Sequence, residues 1–240
     1  MNKSRINSEI EHFSNMSHIW WGALTPAGQK RYDNKLKKML EFYDVSPKTK
    51  ILEIGCGDGE YTKRLRTLNA QIIGTDITPI LIEKAKKDKK NQKIKFKVDN
   101  AEKMSFKDNT FDIVCGISIL HHVDYQKTLK ECFRVLKKGG IIFFTEPNFL
   151  NPFLFACLNM SSLRTKFEFS RDETAFIRWQ LESLMKQIGF KNVVVSNYDF
   201  LHPLTPESAI SKIEKLSTIL EKIPLIKEIS GSLIVYGKKM

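Results

Sequence analysis

Along the 240-residue chain, short runs that are apolar at nearly every position alternate with longer stretches in which apolar residues recur every three or four positions. The first kind reads as strands buried on both faces, the second as amphipathic helices. Strands are expected at 51–54, 71–76, 93–98, 111–117, 141–146, 192–198 and 233–237. The run Lys93-Ile94-Lys95-Phe96-Lys97-Val98 alternates, as an edge strand with lysines on one side would.

Helices are expected between the strands. Ser8-x-x-Glu11 reads as a capping box for a short helix, and Thr25-Pro26 as the start of an amphipathic helix over 26–43, with Tyr32, Leu36, Leu40 and Tyr43 on one face. Others are expected at about 60–68, from Thr78-Pro79 onward, from Asp124 to Lys137 with Gly139-Gly140 as its stop, and from the capping box Ser170-x-x-Glu173 to Ile188. Thr205-Pro206 marks a further helix start, and Pro224 a break. Apolar strands alternating with helices predict an α/β fold with a doubly wound, mostly parallel sheet covered on both sides.

The first strand ends in Glu53-x-Gly55-x-Gly57-x-Gly59. Glycines there let a ligand approach main-chain N–H groups while the next helix points its positive end at the same spot. The dinucleotide fingerprint G-x-G-x-x-G would need glycine at position 60, where Glu60 stands, so a nicotinamide cofactor is disfavoured. Asp76 follows Gly55 by 21 residues, close to the ~20-residue offset at which an acid closing the second strand reaches ribose hydroxyls.

Together these residues resemble the first motif of the class I S-adenosylmethionine-dependent methyltransferases, type 11-like. The resemblance is strong over 50–146, including RVLKKGG before IIFFTEPN, and looser beyond. It implies a seven-stranded Rossmann-like sheet ending in an antiparallel strand, with S-adenosylmethionine as cofactor. Carried onto this chain, the cofactor pocket is Glu53, Gly55, Cys56, Gly57 and Gly59, Asp76 with Ile77 at the ribose, Asp99 with Asn100 and Ala101 at the adenine, and Ile117 after the fourth strand. His121 and His122 follow that strand into the cleft and are the candidate general bases; Tyr32, His18 and Glu146 are weaker ones.

Three segments lie outside the match: a helical cap or lid over 1–45, and insertions at about 147–171 and 201–230 within a methyltransferase domain spanning 46–240. His18, Trp20 and Trp21 read as part of a lid or as packing anchors. The apolar stretch Asn148 to Met160 would cover a hydrophobic substrate, touch a membrane, or pack on the N-terminal helix.

Composition narrows the partners. The four cysteines are scattered with no C-x-x-C pair, so neither a disulfide framework nor a metal site is expected. No apolar run approaches a membrane span and the first residues have no hydrophobic signal core, which points to the cytoplasm. A net charge of +12 suits RNA, an acidic membrane surface or a phosphorylated substrate, but lysines far outnumber interleaved aromatics, which favours a lysine-rich solvated surface. Methyl transfer from a sulfonium is an in-line displacement, in which alignment contributes ~7–11 kcal/mol and a base for a hydroxyl or acidic carbon a further ~10²–10⁴ in rate. The expected acceptor is small or lipid-like, with oxygen ahead of nitrogen and carbon. An RNA methyltransferase and a non-catalytic cofactor-binding subunit are the rival readings.

Overall fold

The computed structural model describes residues 3–15, 23–92, 94–167, 169–170 and 173–240. Two helices come first, α1 (Lys3–Asn15) and α2 (Pro26–Leu40). The alternating region follows as β1 (Lys50–Ile54), α3 (Thr62–Leu65), β2 (Gln71–Asp76), α4 (Pro79–Lys87), β3 (Lys95–Val98), β4 (Phe111–Ile117), α5 (Tyr125–Val135) and β5 (Leu136–Pro147). Then come α6 (Pro152–Asn159), α7 (Ser161–Lys166), α8 (Arg178–Ile188), β6 (Lys191–Tyr198), α9 (Glu207–Leu220) and β7 (Ser232–Lys238).

All seven strands join one sheet in the order β3-β2-β1-β4-β5-β7-β6. The pairs from β3 to β5 are parallel, and β7 runs antiparallel between β5 and β6. Successive side chains on a strand point to opposite faces, so a sheet covered twice needs neighbouring apolar residues. Leu52, Val114, Ile142, Phe144 and Val235 lie in one core with Leu129, Cys132, Leu181 and Met185 of α5 and α8. Their neighbours Ile51, Ile113, Ile141, Phe143 and Ile234 lie in the other, with Met39 of α2 and Leu65 of α3.

Several boundaries differ from the sequence reading for identifiable reasons. Ser8 and Glu11 sit inside α1 and cap nothing. The helix expected over 60–68 is four residues of α3 followed by a 3-10 turn at Arg66–Leu68. The helix expected to reach Lys137 ends at Val135, because Leu136 already pairs with Phe111; Gly139, at φ +80°, bends the start of β5 and does not end a helix. Glu173 does accept the Ser170 N–H at 2.9 Å, yet the helix opens only at Arg178, since Phe176 just before it forms a β-bridge with Asn148. In α6 only Cys157 is buried, while Phe153 and Phe155 are each 49% exposed, so this segment is not core.

Gly116, near the carboxyl end of β4, shows how tightly the sheet is packed beneath the site. A Cβ there would lie 2.8 Å from the Ile54 carbonyl oxygen and 2.9 Å from a Phe144 ring carbon. Gly116→Ala should therefore destabilise the protein by about 1–3 kcal/mol through overpacking. Urea denaturation checks this, and a midpoint equal to wild type would show that the layer can yield.

Candidate active site

The chain leaves β1 toward one side of the sheet, reaches the edge at β3, and returns to lay β4 on β1's other side. The strand order thus reverses between β1 and β4, where open α/β sheets form a crevice at the carboxyl ends of their strands. A cavity of about 300 Å3 opens there. It is walled by the glycine loop, the ends of β2 and β4, the turn after β3, and residues of α1 and α2.

Gly55, Gly57 and Gly59 take φ of +64°, +54° and +87°, the left-handed region that favours glycine. Gly55 also has no room: a Cβ would meet the Ile119 side chain at 2.6 Å. Gly57 faces open space, and its N–H donates to Asp76 Oδ2 at 2.9 Å while the Thr78 N–H donates to Oδ1 at 2.8 Å. Asp76 therefore ties the glycine loop to the start of α4. Burial pushes its carboxyl upward, and the two amides pull it back. Cys56 is buried beneath the loop, its thiol pushed up by burial.

Of the residues singled out in the sequence, Glu53, Gly55, Cys56, Gly57, Asp76, Ile77, Asp99, Asn100, Ala101, Ile117, His121 and His122 all line this cavity. Gly59 stands behind it, against Asn91 and Phe96. Asp99 is already engaged: Oδ2 accepts from the Ser105 hydroxyl at 2.8 Å and the Ser105 N–H at 3.1 Å. Glu53 is 1% exposed, and burial raises its carboxyl to about 8, so it is a neutral acid at pH 7. The aromatic segment with His18, Trp20 and Trp21 falls outside the described residues.

Beyond β4 a 3-10 turn, Leu120–His122, carries the two histidines. Glu146, at the end of β5, accepts from the Ile119 and Leu120 N–H groups at 3.0 and 2.9 Å with one oxygen and meets His121 Nδ1 at 2.8 Å with the other. The far nitrogen of His121 lies 3.7 Å from Glu173. Burial pushes His121 down to about 3 and lowers His122 as well. A ring held this way is poorly set up to take a proton from an acceptor: one nitrogen is committed and the cation is disfavoured. His122 faces Glu9 of α1, which Arg5 helps to dock by pairing with Glu102 and donating to the His122 carbonyl at 2.6 Å.

Sequence reasoning missed the cations on α2. Arg31 pairs with Asp199 at 2.5 Å. Lys35, one turn on, is 5% exposed and points into the cavity, where its described neighbours offer a Tyr32 ring at 5.4 Å and no hydrogen bond or ion pair. Burial first, then Arg31, depresses its ammonium to about 7. The one sequence signal was the spacing of Lys35 three residues after Tyr32, on the same helix face.

The comparisons agree with the geometry. A family model described as "Methyltransferase domain" matches residues 52–144. A ubiquinone biosynthesis O-methyltransferase of Nitrosococcus oceani is 28% identical over 227 residues, covering 88% of this chain and 94% of that one. The protein of the same description from Bartonella bacilliformis is 31% identical, over 62% of this chain and 67% of its own. Among solved structures, a SAM-dependent methyltransferase of Thermotoga maritima, described as a possible histamine N-methyltransferase, superposes with a TM-score of 0.63 at 21% identity, covering 87% and 89%. A crevice of this form with a glycine loop and an acid one strand over defines a Rossmann-like nucleoside-cofactor enzyme. The chain belongs to the class I S-adenosylmethionine-dependent methyltransferases, and its cofactor is S-adenosylmethionine.

Lys35 gives a stability test with a fixed sign. Its folded value lies below the unfolded ~10.4, so the unfolded chain binds more protons between about 7 and ~10.4, and stability rises with pH across that window at up to ~1.4 kcal/mol per unit. The penalty for burying the ammonium is complete below about 7. Lys35→Met should therefore stabilise the protein at pH 6 and do so less at pH 9. Urea midpoints at the two pH values check this, and an equal gain at both would contradict it.

Proposed function

We propose that this methyltransferase transfers the methyl group to a hydroxyl oxygen of a lipid-like aromatic acceptor of the quinone-precursor kind. Similarity to the ubiquinone biosynthesis O-methyltransferases, at about 28% identity, supports this reading. The cavity fits it: Ile6 and Phe13 of α1, Leu24 before α2, and Ile119, Val123 and Pro147 give apolar lining beside the polar glycine loop and Asp76. An apolar wall suits a ring or tail, and a few placed polar groups fix orientation.

In this reading the glycine-loop amides and Asp76 hold the adenosyl part, and the 99–101 turn closes over the base. The cofactor supplies an electrophilic methyl on a good, neutral leaving group. What the chain contributes is alignment and exclusion of water, with α1 as the wall that covers the histidine end of the cleft. Among the described residues no helix is long and apolar enough to cross a membrane.

The test uses methyl-labelled S-adenosylmethionine with two dihydroxybenzenes, one carrying a long alkyl tail, and with total RNA as a third arm. Label on oxygen of the tailed compound is the expected result; label in RNA alone, or in neither aromatic, would overturn the reading. Asp76→Ala should weaken S-adenosylhomocysteine binding by about 1.5–3 kcal/mol, roughly 10- to 150-fold, as one lost charge-assisted contact. Unchanged affinity by calorimetry would remove Asp76 from the cofactor site.

A further inference from the structure

We propose that His121, His122 and Glu173 form a binding site for one divalent transition-metal ion, with Glu146 and Glu9 as the carboxylates that orient the two imidazoles. One ligand atom from each of the three lies within 4.8 Å of the others, and all three residues are buried. They come from different parts of the chain, the 3-10 turn after β4 and the segment before α8, so the grouping is made by the fold.

The carboxylates that would orient the imidazoles are already in place. Glu146 takes His121 Nδ1 at 2.8 Å, which leaves Nε2 as the nitrogen free to ligate. His122 Nδ1 lies 3.1 Å from Glu9, leaving its other nitrogen. A carboxylate behind each imidazole is the arrangement that fixes tautomer and ring orientation in metal-bound histidines. Glu173 is set likewise: one oxygen accepts the Ser170 N–H at 2.9 Å, and the other faces His121 at 3.7 Å, too far for a hydrogen bond.

His122 Nδ1 and Glu9 Oε2 are buried facing one another at 3.1 Å, so the nitrogen that remains to ligate on His122 is Nε2. Arg5 is paired with Glu102, and Arg164 donates to the Ser170 and Glu173 carbonyls at 2.6 and 3.4 Å. Two imidazoles and one carboxylate favour zinc, cobalt, nickel, iron(II) or manganese over magnesium or calcium. Both histidines line the main cavity and a shallower one that also touches Asp124, Tyr125 and Thr174, which gives the ion a way in and leaves coordination positions open.

The experiment uses the full chain without an affinity tag, stripped with chelator and then titrated with Co2+ and Zn2+. One equivalent should remain after gel filtration, and the Co2+ form should show visible d–d bands without a thiolate charge-transfer band. Glu173→Gln and His122→Asn should each lower affinity by tenfold or more, and Glu9→Gln by ~10- to 100-fold as an orienting residue. Thermal melts establish that the variants fold; should His122→Asn not fold, the wild-type stoichiometry and spectrum together with Glu9→Gln still decide. Retention of well under one equivalent, a thiolate band, or undiminished affinity in folded Glu173→Gln would overturn the site. None of these readouts depends on which acceptor is methylated.

Discussion

Everything at the crevice depends on the Asp76 carboxylate accepting two main-chain amides at once, Gly57 from the loop after β1 and Thr78 from the start of α4. Those two bonds lock the ends of neighbouring parallel strands together. A loop of three glycines in left-handed conformations would otherwise be costly to order, because glycine loses more backbone freedom on folding than any other residue. The Cys56 N–H adds a third tie, donating to the Thr75 carbonyl at 2.9 Å. In the proposed cofactor site a ligand would meet amides whose directions are already fixed, so binding would not have to supply their ordering.

The sheet beneath supplies the rigidity. Neighbouring apolar residues such as Phe143 and Phe144 send one side chain to each face, and each is 0% exposed. Ile119 then reaches back over Gly55 and Gly116, so the floor of the site and the turn after β4 are packed against one another. The same turn carries the histidines, of which Glu146 anchors His121 from β5. A change in sheet packing is thus transmitted directly to both the cofactor loop and the histidine cluster.

Much of this was legible in the sequence. Runs such as Ile51-Leu52 and Phe143-Phe144 announce a sheet buried twice, and the spacing from Gly55 to Asp76 places an acid one strand over because β2 is a parallel neighbour of β1. Helix ends were read less well where backbone pairing overrode local signals, as at Leu136, which looks helical but is claimed by Phe111. The cap Ser170-Glu173 formed its hydrogen bond without starting a helix, because a β-bridge at Phe176 decided the path. Least legible were Lys35 and the Glu9–His122 contact. Both depend on where the N-terminal helices dock, a long-range outcome that no local pattern encodes.

The most direct test of the account is hydrogen exchange of the intact protein with and without S-adenosylhomocysteine. Amides at 55–59, 76–78 and 99–101 should become protected together on binding, since all three segments face one ligand. Binding that leaves the glycine-loop amides at their free exchange rates, or that protects only segments elsewhere, would contradict it.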